Sequence, residues 1–416
     1  MAPKRRVCLI CAAITVLLSI SVMYPQQIFK EKRVAPTEFA VMGWGSASPD
    51  PQQLQWMKEA GLNIAGFGRI ADLPAYEKAG IQVFISDPRI NGYDFEKPLD
   101  EAMVRRNVEA VAREVGQSPA VIGFMLRDEP HARAMPSLAL VARLIQEYMP
   151  GKWPYVNLFP VRVSADRMGV ANYDDYVRML INQIHQPFLS YDNYSLVKGE
   201  MLDSFYTNLE VVRRLSVETG VPLWNCVLSD AHFNYMVNTD ATYSLQAYAT
   251  MAHGARGIQY FSYFTWANGN YRLGPIDQFG NKTPSWDMLR RVNNQIHALA
   301  PTLKKLKSTG VYHYPDVPPE CRPLSESRLV RFIEMTQRMV IAPVQGRFLV
   351  GEFKDDTGRN YLMLVNKDLN NSFRYRIELK NPGKLIHISQ YSGEEEPFGR
   401  EMDWVAPGAG HLFRVE

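Results

Sequence analysis

Cysteine is scarce: the 416-residue chain has four, at positions 8, 11, 226 and 321. Two lie in an apolar N-terminal run, and the other two are too far apart for a metal motif or a disulfide framework. Cys226 falls in an apolar run and is expected to be a small buried hydrophobe. An excess of one charge is also missing. Lys plus Arg total 46 and Asp plus Glu 43, leaving +3 with no basic stripe and no long block of like charge. That balance argues against nucleic acid as a partner. No Gly-x-Gly-x-x-Gly follows a strand-like run, which removes the dinucleotide signature. No Gly-x-Ser-x-Gly elbow and no His/Asp/Cys cluster at ligand spacing occurs. The expected cofactor and metal are therefore none.

Long apolar runs are confined to the N-terminus. Lys4-Arg5-Arg6 precedes the apolar stretch 7–24, so residues 1–30 read as a signal peptide or membrane anchor. The basic flank predicts a cytoplasmic N-terminus and an exported remainder, whether periplasmic, extracellular or membrane-anchored and facing outward. No small-x-small cleavage site is evident at 23–27, and both fates stay open.

What the chain does have is aromatics, with 7 Trp, 21 Tyr and 19 Phe, and a regular alternation. Strand-like runs at 38–45, 63–70, 81–86, 120–126, 153–159, 188–194, 221–228 and 257–264 each precede a helical stretch. The helical stretches fall at 51–60, 74–78, 99–115, 137–148, 173–184, 201–219, 240–253 and 285–304. Eight such pairs predict a (β/α)8 TIM barrel over 37–306. Gly61, Gly80, Gly220 and Gly254 are placed to stop helices. A doubly wound open sheet is the alternative. Beyond 308 the helical period disappears. Short runs at 329–335, 339–343, 348–354, 360–366, 373–379 and 385–390 predict a small antiparallel β-sandwich over 310–416, with the boundary near 301–317.

The stretch 120–126 is apolar throughout and ends in Arg127-Asp128-Glu129-Pro130-His131. Such a strand is buried on both faces, and Pro130 stops it. Two adjacent carboxylates then stand at the rim where α/β barrels keep their chemistry. The other predicted strand ends carry Trp44, Asn157, Asp192, Tyr194, Asn225 and Trp266. Carboxylates, amides and large aromatics together suit a carbohydrate: aromatic faces stack on sugar rings while Asp and Asn bond the hydroxyls.

The barrel pattern, Asp128-Glu129-Pro130 after strand 4, the aromatic strand 8 and the C-terminal β-domain resemble the clan of TIM-barrel glycoside hydrolases. That resemblance implies an acid/base glutamate at the end of strand 4, which matches Glu129. Two departures stand out. The residue before the acid is usually Asn in the clan and is Asp128 here, and the usual strand-7 glutamate is absent from 221–230. The partner carboxylate is then Asp192, in a two-carboxylate mechanism with Asp192 ionised, or Asp128, in substrate-assisted chemistry similar to that of N-acetylhexosaminidases with Tyr194 binding the acetamido carbonyl. Trp44, Asn157, Tyr194, Asn225 and Trp266 are expected to contact the sugar. A non-catalytic carbohydrate-binding barrel, or another barrel enzyme such as a lyase or esterase, is the competing reading.

Overall fold

The apolar runs form the inner wall of a barrel. The computed structural model describes residues 39–337, 345–399 and 403–416. The expected targeting segment at 1–30 and the expected strand at 339–343 lie outside the described residues. Eight parallel strands make the wall: β1 (Ala40–Trp44), β2 (Ile64–Gly68), β3 (Gln82–Ile85), β4 (Val121–Asp128), β5 (Trp153–Asn157), β6 (Leu189–Asp192), β7 (Leu223–Leu228) and β8 (Gly257–Phe261). They are bonded in the order β5-β4-β3-β2-β1-β8-β7-β6. The two edges meet where the Leu158 N–H donates to the Ser190 carbonyl at 2.9 Å, so the barrel is nearly closed.

A helix follows each strand: α1 (Pro51–Glu59), α2 (Leu73–Ala79), α3 (Glu101–Val115), α4 (Met135–Tyr148), α5 (Tyr173–Met179), α6 (Asp203–Thr219), α7 (Asp240–Ala252) and α8 (Pro284–Leu303). Helix α3 shows the local logic. Asp100 accepts the Ala102 N–H at 2.9 Å as its cap, and Val104, Val108, Val111 and Val115 form one buried stripe against the wall. The four glycines expected as helix stops all have positive φ. Alternate strand residues point inward, where Met42, Ile64, Phe84, Tyr155, Phe188 and Trp224 fill the barrel. Phe188 and Trp224 stack at 3.9 Å.

The C-terminal part is a β-sandwich. Strands β9 (Lys307–Tyr314), β11 (Phe348–Lys354), β12 (Asn360–Asn366), β14 (Leu385–Ile388) and β15 (Gly410–Val415) belong to its larger sheet. Strands β10 (Val330–Thr336) and β13 (Phe373–Leu379) form the smaller one with Trp404–Val405. Phe348, Leu362, Phe373 and Tyr375 are among the side chains buried between the sheets. The outer face of the larger sheet packs on the barrel: Leu349, Phe353 and Met363 join the hydrophobic cluster that contains the barrel helices. Barrel and sandwich form one compact unit. The stretch expected as a boundary, 301–317, is no free linker, because α8 ends at Leu303 and β9 starts at Lys307.

Candidate active site

Strand β4 delivers two carboxylates to the mouth of the barrel. The Glu129 N–H donates to the Asn157 carbonyl at 2.8 Å, which carries the ladder one residue past the strand. Glu129 itself has φ 43°, the left-handed region, a backbone that a residue with a side chain adopts at a cost of about 1–3 kcal/mol. Pro130 follows, and its carbonyl accepts the Tyr176 hydroxyl at 2.5 Å, which ties the turn to α5.

A single amide links the acidic groups. Asn157 Nδ2 donates to Asp128 Oδ1 at 3.1 Å and to Asp192 Oδ1 at 2.7 Å, so those oxygens stand within two hydrogen-bond lengths of each other. The amide orientation is set from below. Ser190 Oγ donates to Asn157 Oδ1 at 2.8 Å and accepts Gln259 Nε2 at 2.8 Å. Gln259 Oε1 accepts the Tyr155 hydroxyl at 2.5 Å, and that hydroxyl accepts Trp44 Nε1 at 3.0 Å. Five strands thus cooperate to hold the Asn157 N–H atoms toward two carboxyls.

The electrostatics follow from crowding. Burial, helped by the Asp128 charge, pushes Glu129 up to about 7, while Arg167 and Arg162 oppose the rise. Burial also raises Asp128, against the Asn157 bond and Arg127. Asp128 nonetheless keeps an exposed surface, whereas Asp192 is 9% exposed. Asp192 is held well above the carboxylate range by burial and by the charges of Asp128 and Glu129. The sequence-based picture had Asp192 ionised beside a protonated Glu129. Burial instead raises all three carboxyls, and Asp192, the most buried, is the hardest to ionise.

The rest of the rim sorts by which way each strand residue faces. Trp266, 41% exposed after β8, stacks on Tyr271 at 5.3 Å, and Tyr271 stacks on His232 at 4.7 Å. Tyr194 stacks on Phe261 at 5.1 Å, but its hydroxyl meets Cys226 Sγ at 3.6 Å and so is directed into the barrel. Trp44 is nearly buried, with its N–H taken by Tyr155. The expectation for Asn225 is corrected. It is 1% exposed and donates to Thr250 Oγ1 on α7 at 2.8 Å, because its neighbours Trp224 and Cys226 are the inward residues of β7. Cys226 is buried with its thiol pushed well up by desolvation.

Two functional candidates, Arg162 and Arg167, lie outside the sequence expectations, and Asp230 is expected from the sequence only as a residue at the end of strand 7. Asp230, just past β7, is 0% exposed, and one carboxyl oxygen accepts Ser262 Oγ at 3.2 Å. Its other oxygen has no partner among the described residues, and burial pushes it up to about 6. Arg162 and Arg167 lie on the loop after β5, with Arg167 Nη2 at 3.5 Å from Glu129 Oε2. Nothing in the local sequence of a charged loop separates such residues from ordinary surface. Among the described residues no group of three or more His, Cys, Asp and Glu is placed to hold a metal ion. A cavity of about 540 Å³ lies on the barrel flank instead, between α6 and the sandwich, lined by Arg213, Arg322 and Arg328 among others.

No family model and no curated protein matches the chain. Solved structures do. A glycoside hydrolase family 5 protein from Bacteroides vulgatus ATCC 8482 aligns with a TM-score of 0.57 at 12% identity, over 91% of this chain and 89% of that one. A catalytic mutant of a GH42 β-galactosidase from G. stearothermophilus aligns with a TM-score of 0.58 at 8% identity, over 91% and 98%. The fold is therefore that of the TIM-barrel glycoside hydrolases, with a C-terminal β-sandwich. The chain spans 60% of the length of a β-galactosidase from the psychrophilic Marinomonas ef1, at 11% identity and a TM-score of 0.49.

Proposed function

We propose that this protein hydrolyses O-glycosidic bonds of a carbohydrate, with Glu129 as general acid/base and a neighbouring carboxylate as partner. One observation carries the reading: at the C-terminal end of β4, Glu129 is held in a left-handed backbone with its pKa pushed up to about 7. A general acid has to keep its proton near the working pH and release it in the reaction. Glu129 protonates the leaving oxygen as the glycosidic bond breaks, and its carboxylate then takes a proton from the incoming water. Asp128 keeps an exposed surface, so it is the carboxylate favoured to face the developing positive charge or orient the substrate. Asp192 shares the Asn157 amide with it and tunes its proton affinity. Trp266 and Tyr271 supply an apolar face for the sugar ring.

The test is hydrolysis of a panel of aryl glycosides, N-acetylhexosaminides included, by the wild type and Glu129→Gln. Turnover with a loss of roughly 100-fold or more in the variant supports the assignment. Turnover that survives the substitution sinks it. A non-catalytic carbohydrate-binding barrel is the second reading, favoured by the state of β7: the carboxyl beyond that strand, Asp230, is fully buried. Sugar binding without turnover would select it.

A further inference from the structure

We propose that the sugar bound at this mouth carries an anionic substituent, a carboxylate or sulfate ester, and that Arg162 and Arg167 receive it beside Glu129. The inference rests on the hydrolase reading for its site and adds the substrate class. Two arginines stand beside Glu129, one of them within 3.5 Å of its carboxyl. On the barrel surface Arg89 pairs with Asp87 and Glu114, Arg178 with Glu218, and Arg214 with Asp174, all at 2.6–2.9 Å. Arg113, Arg133 and Arg290 pair only at 3.3–3.6 Å, and the two arginines at the mouth are as loosely held. Arg162 makes no ion pair among the described residues, and its Nη2 donates only to the Tyr235 hydroxyl, at 3.1 Å. The one ion pair of Arg167 among the described residues is with Glu129, at 3.5 Å, beyond the length of a strong charged hydrogen bond. Both guanidinium groups are open to solvent.

A cation in that position works against the chemistry. Glu129 needs its proton, burial and Asp128 help to keep it there, and the two arginines draw it away. The value of about 7 already includes that pull, so a neutral sugar leaves the acid as it stands. An anion seated on both guanidinium groups cancels their pull just when the acid is required, so substrate binding and protonation of Glu129 become coupled.

The loop is also pre-set. Arg167 rides on the turn Ala165–Met168, which Ser164 caps, and its guanidinium rests 4.9 Å over the Phe159 ring. The Phe159 carbonyl accepts the Tyr173 hydroxyl at 2.7 Å, and the Val161 N–H donates to Asn208 Oδ1 at 2.7 Å. Gly169 closes the turn at φ +80°, so close to His131 that an added Cβ would lie 2.2 Å from its ring. Arginines held this way bind an anion without first paying to order the loop.

The experiment uses the Glu129→Gln protein, which binds without turning over, and measures by calorimetry its affinity for methyl glucuronide, methyl glucoside, methyl glucoside 6-sulfate and their galacto counterparts. The expected result is an acidic sugar bound roughly tenfold or more tighter than its neutral partner. Arg162→Ala and Arg167→Ala should each erode that preference, and the double variant should abolish it. Arg162→Lys, which keeps the charge, should retain part of it and controls for folding. Whether carboxylate or sulfate wins identifies the substituent. Equal affinity for acidic and neutral sugars, a preference that survives loss of both arginines, or binding of neither series overturns the proposal. Hydrolysis of neutral glycosides with no acidic preference sinks the subsite and leaves the hydrolase standing. An arginine-dependent acidic preference without turnover by the wild type does the reverse.

Discussion

Glu129 was legible as a carboxylate that ends a doubly buried strand and has to keep a proton, but its left-handed backbone and the source of its raised pKa were not. The backbone follows from the way Asn157 extends the ladder, and the raised pKa from burial with the Asp128 charge beside it. The raised pKa has a stability consequence with a definite sign. Between the ordinary 4.5 and about 7 the folded protein keeps a proton that the unfolded chain has released, so this group's contribution to stability falls as pH rises through that window. Glu129→Gln should therefore melt like the wild type near pH 4 and above it at pH 8, even as activity is lost; thermal midpoints at the two pH values check this. The reverse holds at Asn157. Asn157→Asp replaces the shared donor with a further carboxyl and should cost about 2–4 kcal/mol in urea unfolding at pH 7, with much of it recovered in acid. Asn225 marks the limit of reading single residues. A strand buried on both faces gives no sequence sign of which side chains turn inward, and β7 turned Trp224 and Cys226 in and Asn225 out.

The periodic elements were legible almost throughout, because apolar runs bounded by glycine, proline and capping residues leave few alternatives. Strand β9 was not: its first half, Lys307-Ser308-Thr309-Gly310, is polar, and pairing with β11 rather than local pattern makes it a strand. The loop after β5 was illegible for a related reason, since contacts with α5, α6 and His131 fix it and its own residues do not. Gly169→Ala tests that loop. The substitution forces a side chain into φ +80° and against His131, and should shift Arg167 enough to lower kcat/KM roughly tenfold or more while the fold persists. Trp266→Ala tests the opposite wall. With 41% of its surface exposed, the ring contributes little to the core, so sugar affinity should drop with the melting temperature unchanged; calorimetry with the same glycosides reads both.

Barrel and sandwich were read as two domains, and the sequence supports that division by its change of period. The packing unites them. The outer face of the large sheet shares one apolar cluster with the barrel helices, and Gly351 sits so close to α7 that an added Cβ would lie 2.3 Å from the Ala252 carbonyl. Calorimetry should give a single unfolding transition, and Gly351→Ala should lower it by about 1–3 kcal/mol of stability without altering the pH dependence of any activity. The seam is made on the barrel helices, whereas the candidate site stands at the C-terminal ends of the strands. The measurement that bears most directly on the account is kcat/KM against pH for the best glycoside in the panel. The account predicts a descending limb near pH 7, falling about tenfold per pH unit above it, and no such limb in the residual activity of Glu129→Gln. A profile flat through pH 7, or the same limb in the variant, would contradict it.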